Sequence, residues 1–188
     1  MRLVILGAGG HGQTVADAAR MMGRYTEIIF LDDHFIKGKC ERLFYGAAQV
    51  QFMLSGKCKD YIHYIDSKSE IYPAFGNNKV RLYWQDEIIK NGGKLPLILH
   101  PSCVISKYVT LTPGTVVLQN AVINVGCRIE KACIINVGAI IDHGCHLGEG
   151  VHVNSGAVVM AENDIPRLTI IDSNKVIAWR KWPIKELY

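Results

Sequence analysis

The pattern of hydrophobic positions divides the chain into two parts with different periods. Before residue 100, short apolar runs alternate with amphipathic segments. Between residues 103 and 162, an aliphatic residue returns at every sixth position, ten times in succession. The first part predicts alternating strands and helices, whereas the second predicts a fold that repeats one short structural unit.

The six-residue repeat has two further regularities. Its third place is always Ile, Leu or Val, its first place is small or β-branched, and its sixth place is often Gly. An α-helix turns about every 3.6 residues and cannot keep a period of six in register. A short strand followed by a corner can keep it, because a large and a small residue then point inward and Gly supplies a positive φ. The repeat therefore predicts a parallel β-helix, in which each coil stacks on the next.

The first part of the chain predicts a β-α-β arrangement with parallel strands. The predicted strands are 2–6, 27–31, 71–75 and 95–99, and the predicted helices are 12–22, 46–54 and 78–90. His100-Pro101-Ser102 marks a boundary, since Pro interrupts both kinds of element. We therefore expect three regions: a Rossmann-like unit (1–99), a β-helix (100–166) and a C-terminal tail (167–188).

A glycine-rich loop follows the first predicted strand. Gly7, Gly9 and Gly12 complete a G-x-G-x-x-G pattern, and Asp32 lies twenty residues beyond Gly12. This is the dinucleotide fingerprint and by itself indicates NAD. Only about 95 residues precede the repeats, which leaves room for one mononucleotide half. The loop therefore favours binding of a single nucleotide phosphate at a helix N-terminus, and a purely structural glycine turn is the alternative.

Composition excludes several classes of protein. The chain has 188 residues, 49% of them hydrophobic and 20% charged, which is typical of a globular protein, and its net charge of +4 is too small to indicate nucleic acid binding. No apolar run has membrane-spanning length, and the N-terminus does not resemble a signal peptide. Four of the six cysteines occupy the small inward place of the repeat: Cys103, Cys127, Cys133 and Cys145. They indicate buried thiols in a reducing cytoplasm, with no metal site.

Six segments together resemble one known family, the bacterial nucleotide-sugar acetyltransferases that modify amino sugars and sialic acid. These segments are ILGAGGHG (5–12), LDD (31–33), AFGNNKVR (74–81), LILHPS (97–102), IDHGCHLGEGVHV (141–153) and NDIP (163–166). The family includes UDP-4-amino-sugar N-acetyltransferases of bacillosamine synthesis and sialic acid O-acetyltransferases. The resemblance implies a left-handed parallel β-helix, a homotrimer, and acetyl-CoA bound between adjacent subunits.

The resemblance also implies roles for particular residues. His143 matches the family's catalytic base, whose neutral imidazole takes a proton from the acceptor; a surface histidine is the alternative. His152 and Gly156 match the acetyl-CoA site. The nucleotide sugar, expected to be UDP-linked, would contact residues of the N-terminal unit: Gly9, Gly10, His11, Gly12, Asp32, Asp33, Gly76 and Asn77. For His11, a solvent-exposed histidine of the turn is the alternative.

Two departures from the family leave the activity open. Gly144 stands where relatives usually carry Glu or Asp after the base, and the repeats end about one coil early if they stop near residue 166. The leading hypothesis is an acetyl-CoA-dependent acetyltransferase acting on a nucleotide-activated amino sugar or a sialic-acid-like sugar in surface-glycan biosynthesis. The alternatives are a catalytically impaired nucleotide-sugar-binding homologue, acting as an assembly or regulatory subunit, and an NAD-linked oxidoreductase.

Overall fold

The computed structural model describes residues 1–35, 42–43 and 52–178. The chain forms two compact units, Met1–Pro101 and Ser102–Tyr188. Among the described residues, no helix combines the length and the apolar character needed to cross a membrane.

The first unit is built on a five-stranded sheet with the order β3-β4-β2-β1-β5. Strands β1, β2, β4 and β5 are parallel, and β3 is antiparallel to β4. The elements in chain order are β1 (Arg2–Leu6), α1 (Gly10–Met21), β2 (Glu27–Leu31), β3 (Arg42–Leu43), β4 (Phe52–Gly56), a 3₁₀ helix (Cys58–Tyr64), β5 (Ser69–Pro73), α2 (Asn78–Lys90) and β6 (Ile98–Leu99). The predicted β-α-β arrangement is confirmed.

One of the predicted helices is wrong. The segment 46–54 was expected to be helical, but its end lies in strand β4, and 46–51 lies outside the described residues. Tertiary pairing of β4 with β2 decides the conformation there, since a short apolar run does not by itself distinguish helix from strand. The last predicted strand, 95–99, is reduced to Ile98–Leu99.

The register of the sheet brings three loops to one edge. Leu6 at the end of β1 is paired with Leu31 of β2 on one side and with Pro73 of β5 on the other. Because these strands are parallel, the loops that follow them all leave at the carboxyl edge of the sheet, where α/β folds bind ligands. These loops carry the glycine motif, the Asp32-Asp33 pair and the Gly76-Asn77 pair.

The second unit is a parallel β-helix with two-residue strands. In chain order these are β7 (Val104–Ile105), β8 (Thr110–Leu111), β9 (Val116–Val117), β10 (Val122–Ile123), β11 (Arg128–Ile129), β12 (Ile134–Ile135), β13 (Ile140–Ile141), β14 (His146–Leu147), β15 (His152–Val153), β16 (Val158–Val159), β17 (Asp164–Ile165), β18 (Ile170–Ile171) and β19 (Val176–Ile177). Val122 pairs with Ile140, so one coil takes 18 residues, or three repeats.

Each coil contributes one strand to each of three faces. Face one contains β7, β10, β13, β16 and β19; face two contains β8, β11, β14 and β17; face three contains β9, β12, β15 and β18. Third-place residues from Val117 to Ile171 are buried, as the repeat predicts. Among the first-place cysteines, Cys127, Cys133 and Cys145 are buried, and Cys103 is half-buried.

The β-helix is longer than the sequence predicts. The expected end at residue 166 is wrong, because β18 and β19 continue faces three and one. Segment 167–178 of the expected tail therefore belongs to the coils, and 179–188 lies outside the described residues. The third place persists as Ile165, Ile171 and Ile177. The sixth place no longer carries Gly, and the first place carries Asn163, Thr169 and Lys175, of which only Thr169 is β-branched.

The corners of these last coils keep their geometry without glycine. Glu162, Leu168 and Asn174, all in the sixth place, have φ values of 58°, 61° and 58°. At the first place, Asn163 replaces a small apolar residue, and its side-chain amide donates to the carbonyls of Met160 and Ala178 at 2.8 and 3.0 Å. An amide that satisfies corner carbonyls can therefore stand where the repeat usually places Ala or Cys.

Candidate functional site

Backbone hydrogen bonds join the three loops at the carboxyl edge of the sheet. The Gly7 N–H donates to the Leu31 carbonyl at 2.8 Å, and the Ala74 N–H donates to the Leu6 carbonyl at 2.8 Å. The Ala8 N–H donates to Asp32 Oδ2 at 2.8 Å. The glycine loop is therefore held between the ends of its two neighbouring strands.

The glycines of this loop divide into two kinds. A Cβ on Gly12 would lie 2.1 Å from the Gly7 carbonyl oxygen, so the close approach of α1 to the loop requires glycine there. Gly9 and Gly10 are exposed, and a Cβ on either would meet no atom within 4 Å. The fold does not require these two glycines, and their missing side chains leave the start of α1 open. His11, in the first turn of α1, is half-buried.

The two acidic residues after β2 are both bonded to backbone. Asp32 accepts from the Ala8 and His34 N–H groups, and the Asp33 carboxylate accepts from the Cys58 N–H at 3.1 Å. Partial burial opposes ionisation of Asp32, but the bonds from Ala8 and His34 outweigh it and hold the pKa of Asp32 below its usual value. Asp32 is therefore an ionised structural anchor of the glycine loop. Asp33 is the more exposed of the two.

Asn77 caps the second helix of the unit. Its Oδ1 accepts from the N–H groups of Lys79 and Val80 at 3.0 and 3.1 Å, as expected of an N-cap residue. Gly76 is exposed, and a Cβ there would meet nothing within 4 Å. Arg81, for which the sequence predicts no role, is fully buried and donates to the carbonyls of Phe75 and Gly76 at 2.7 and 3.3 Å. Arg81 therefore fixes the loop that carries Gly76 and Asn77.

His143 lies at the corner that follows β13 on face one, and 53% of its side chain is exposed. Its Nδ1 is 3.0 Å from Asp142 Oδ1, and its backbone N–H donates to the same oxygen at 2.7 Å. These two contacts hold the pKa of Asp142 below its usual range. The corner therefore presents an exposed imidazole whose Nδ1 faces an ionised carboxylate.

Gly144 does not leave His143 without an acidic neighbour. Asp142 directly precedes the histidine, and the structure places its carboxylate against the imidazole. Gly144 itself has φ of +67°, and a Cβ there would lie 3.3 Å from Cγ of Glu162. The corner thus favours glycine after His143 for conformational reasons.

The residues expected to contact acetyl-CoA lie elsewhere on the coils. His152 is in β15 on face three, half-buried, with its Nε2 3.4 Å from the Asn136 amide nitrogen. Gly156 has φ of +68°, and a Cβ there would lie 2.3 Å from Asn174 Oδ1. The backbone conformation and the close contact with Asn174 are therefore enough to explain why residue 156 is glycine. His152 and His143 lie on different faces of the β-helix.

An apolar stripe runs along the outside of face one. The outward residues of its five strands are Val104, Val122, Ile140, Val158 and Val176. Val104, Ile140 and Val176 are 63%, 41% and 59% exposed. On face two the outward residues are polar: Thr110, Arg128, His146 and Asp164. The His143 corner joins the apolar face to the polar one. No group of His, Cys, Asp or Glu in the described segments could hold a metal ion.

Comparisons with known proteins agree with this architecture. The family of PglD N-terminal domains matches residues 2–88. The acetyltransferase domain of PglB from Neisseria gonorrhoeae is 30% identical, with a TM-score of 0.81 over 93% of this chain and 81% of that domain. A second structure of that domain contains acetyl coenzyme A and is 27% identical, with a TM-score of 0.71 over 93% of this chain and 97% of that one.

A third similar structure is PerB from Caulobacter crescentus, determined with CoA and GDP-perosamine. It is 24% identical, with a TM-score of 0.77 over 95% of this chain and 89% of that one. These likenesses confirm the fold expected from the sequence, a Rossmann-like α/β unit followed by a left-handed parallel β-helix. The chain belongs to the family of bacterial sugar N-acetyltransferases built on hexapeptide repeats.

Proposed function

We propose that this protein transfers the acetyl group of acetyl-CoA to the amino group of a nucleoside-diphosphate-linked sugar in surface-glycan biosynthesis. The observation that carries the proposal is the half-exposed His143 imidazole, whose Nδ1 lies 3.0 Å from Asp142 Oδ1. A carboxylate at that nitrogen favours the tautomer with hydrogen on Nδ1, so the lone pair on Nε2 remains available as a base.

The proposed reaction forms one bond and breaks another at the acetyl carbonyl carbon. The sugar amine attacks the thioester carbon, and His143 Nε2 accepts a proton from the attacking nitrogen. The C–S bond then breaks, and the CoA thiolate leaves and is protonated by the imidazolium. Asp142 stays ionised throughout and stabilises the imidazolium that forms. The products are the acetamido sugar and CoA.

The first unit supplies the proposed nucleotide-sugar site. Gly9 and Gly10 leave the start of α1 open, where backbone N–H groups attract a diphosphate. Gly76, Asn77 and the exposed Asp33 lie in the neighbouring loops of the same sheet edge. Asp32 contributes indirectly, because its carboxylate is bonded to the loop itself. The UDP linkage stays a prediction. Because PerB was determined with GDP-perosamine, binding of GDP should be tested beside binding of UDP.

The apolar stripe on face one supports the proposed homotrimer. A row of five aliphatic residues along one outer face is unusual for a surface in contact with water and fits a second copy of the same face. Because His143 lies at the border of this face, assembly there would place its imidazole beside a neighbouring subunit. His152 remains the proposed acetyl-CoA contact.

The catalytically impaired alternative loses both of its supports. The Asp142 carboxylate lies against the His143 imidazole although Gly144 follows it, and the coils continue to Ile177. The NAD-linked alternative rests on the glycine fingerprint alone. The size of the first unit argues against NAD binding. Its described residues form a single sheet with one glycine loop, which is enough for one mononucleotide half.

One calorimetric series with an activity assay tests the proposal. Acetyl-CoA, UDP, GDP and NAD are titrated separately into the protein, and acetyl transfer to nucleotide-linked amino sugars is followed by thiol release. We expect binding of acetyl-CoA and of one nucleoside diphosphate, and thiol release that needs both substrates. Tight NAD binding without any nucleoside diphosphate binding would support the oxidoreductase instead. Nucleotide binding without acetyl transfer would support the impaired homologue.

A further inference from the structure

Asn124 and Asp142 occupy the same fourth place of the repeat on successive coils of face one. Their strands are in register, with Val122 paired to Ile140, so the two side chains lie one above the other at the corner. Asn124 Nδ2 donates to Asp142 Oδ1 at 3.2 Å. This is the oxygen that also accepts the His143 N–H and contacts His143 Nδ1.

The Asn124 amide is fixed at both of its ends. Its Oδ1 accepts the Val125 N–H at 2.8 Å, which leaves the amino end of the amide to face Asp142. On the other side of Asp142, the same place is taken by Met160, whose side chain has no N–H or O–H to donate. The side-chain donor to the Asp142 carboxylate therefore comes from the coil that carries Asn124.

We propose that Asn124 is a positioning residue for acetyl transfer, which fixes the Asp142 carboxylate so that this carboxylate orients the His143 imidazole. The inference rests on the proposed function and deepens it. A carboxylate held by a neighbouring amide keeps one rotamer, and through it the imidazole keeps one tautomer and one direction. Asn124 itself touches neither substrate in this account.

The substitution Asn124→Asp separates this role from a structural one. It keeps an oxygen that can accept the Val125 N–H, but it replaces the donor that faces Asp142 with a second acceptor. The matched control is Asn154→Asp, since Asn154 has the same place on face three and donates to the Ile171 carbonyl at 3.0 Å. Both substitutions remove the side-chain NH₂ donor of an asparagine at a corner of the β-helix, but only the Asn124 amide faces the Asp142 carboxylate.

The test compares steady-state kinetics of the wild type, Asn124→Asp, Asn154→Asp, Asp142→Asn and the double variant Asn124→Asp/Asp142→Asn. We expect Asn124→Asp to lower kcat about tenfold with little change in either KM. Asn154→Asp should keep kcat within about twofold. In the Asp142→Asn background, Asn124→Asp should have little further effect, because both changes interrupt the same chain of contacts. A full kcat in Asn124→Asp, or strictly additive losses, would overturn the inference and leave the proposed function intact.

A second measurement does not depend on activity. ¹⁵N NMR of histidine-labelled protein reports which ring nitrogen of His143 carries hydrogen. We expect the Nδ1–H tautomer to dominate in the wild type and both tautomers to appear in Asn124→Asp. An unchanged tautomer in that variant would overturn the positioning role, even if the wild type showed no acetyl transfer and the proposed function had failed.

Discussion

Oδ1 of Asp142 lies 3.0 Å from Nδ1 of His143 and accepts the backbone N–H of the same residue at 2.7 Å. The carboxylate is therefore tied to both the backbone and the ring of the residue that follows it. We propose that this carboxylate, which precedes the histidine, orients the imidazole in place of the acidic residue that relatives were expected to carry after it.

Replacing Asp142 with Asn should lower kcat by about tenfold or more, because the carboxylate that stabilises the imidazolium is lost. Its pKa is held below the usual value, so the folded state favours the ionised form. That preference stabilises the fold above the unfolded-state pKa, and it is lost as the pH falls through the lower folded-state pKa. Thermal unfolding midpoints between pH 7 and the acidic range should show a smaller loss in Asp142→Asn than in the wild type.

Asp164→Asn is the control for this change. Asp164 Oδ1 also lies 2.9 Å from a histidine Nδ1, that of His146 on face two, for which no catalytic role is proposed. We expect Asp164→Asn to leave kcat unchanged. An equal loss of activity in the two variants would show that the effect is not specific to the His143 corner.

Gly144→Glu should not raise activity, contrary to what the family pattern suggests. The new side chain would have to adopt φ of +67° and fit beside Cγ of Glu162, and the position beside the imidazole is already filled by Asp142. We expect a loss of stability of about 1 kcal/mol or more, measured by denaturant unfolding. Gly138→Ala, with φ of +65° and no atom within 4 Å of a Cβ, measures the conformational cost alone. A more active Gly144→Glu enzyme would mean that Asp142 orients the base poorly.

Gly9→Val should weaken nucleoside diphosphate binding by about tenfold or more, while the fold remains intact. The position is open within the protein, so the side chain occupies only the space proposed for the phosphates. Calorimetric titration with UDP and GDP measures the change, and acetyl-CoA titration serves as the control. Gly12→Ala should instead destabilise the first unit, because its Cβ would collide with the Gly7 carbonyl. Unaltered nucleotide affinity in Gly9→Val would place the diphosphate elsewhere.

Ile140→Glu should dissociate the proposed trimer, because it places a charge in the middle of the apolar stripe. Sedimentation of the wild type at micromolar concentration should show about three chains, and the variant should show fewer. Thr110→Glu changes an outward residue of face two and should leave the assembly unchanged. A wild type that stays monomeric would remove the shared-site arrangement from the proposal.

The sequence predicted those features whose signals are local. The helix predicted at 78–90 is observed as Asn78–Lys90, since its cap at Asn77 and its stop at Gly92-Gly93 lie beside it in the chain. The predicted end of the β-helix was wrong. Asn163, Glu162 and Leu168 keep the coil geometry without the small residues and glycines that mark the coils elsewhere.

The side-chain contacts of the site could not be predicted from the sequence alone. The rotamer that brings Asp142 to the imidazole depends on a corner geometry that residue order does not show. The Asn124–Asp142 contact did leave a signal, since the two residues are 18 positions apart and 18 is the length of one coil. The role of Arg81 was not predicted, although Arg81 ends the AFGNNKVR segment, because a helix start that carries Lys and Arg is typical of a solvated surface.

The role of His143 as the general base is tested most directly by acetyl transfer in His143→Ala, measured as thiol release under saturating acetyl-CoA and nucleotide-linked amino sugar. We expect kcat to fall by about 10²-fold or more. Nucleoside diphosphate affinity and the unfolding midpoint should change little, because the imidazole is exposed and its removal leaves no buried cavity. His146→Ala, on face two, is the control and should keep its rate. An active wild type whose His143→Ala variant retains the full rate would show that His143 is not the general base.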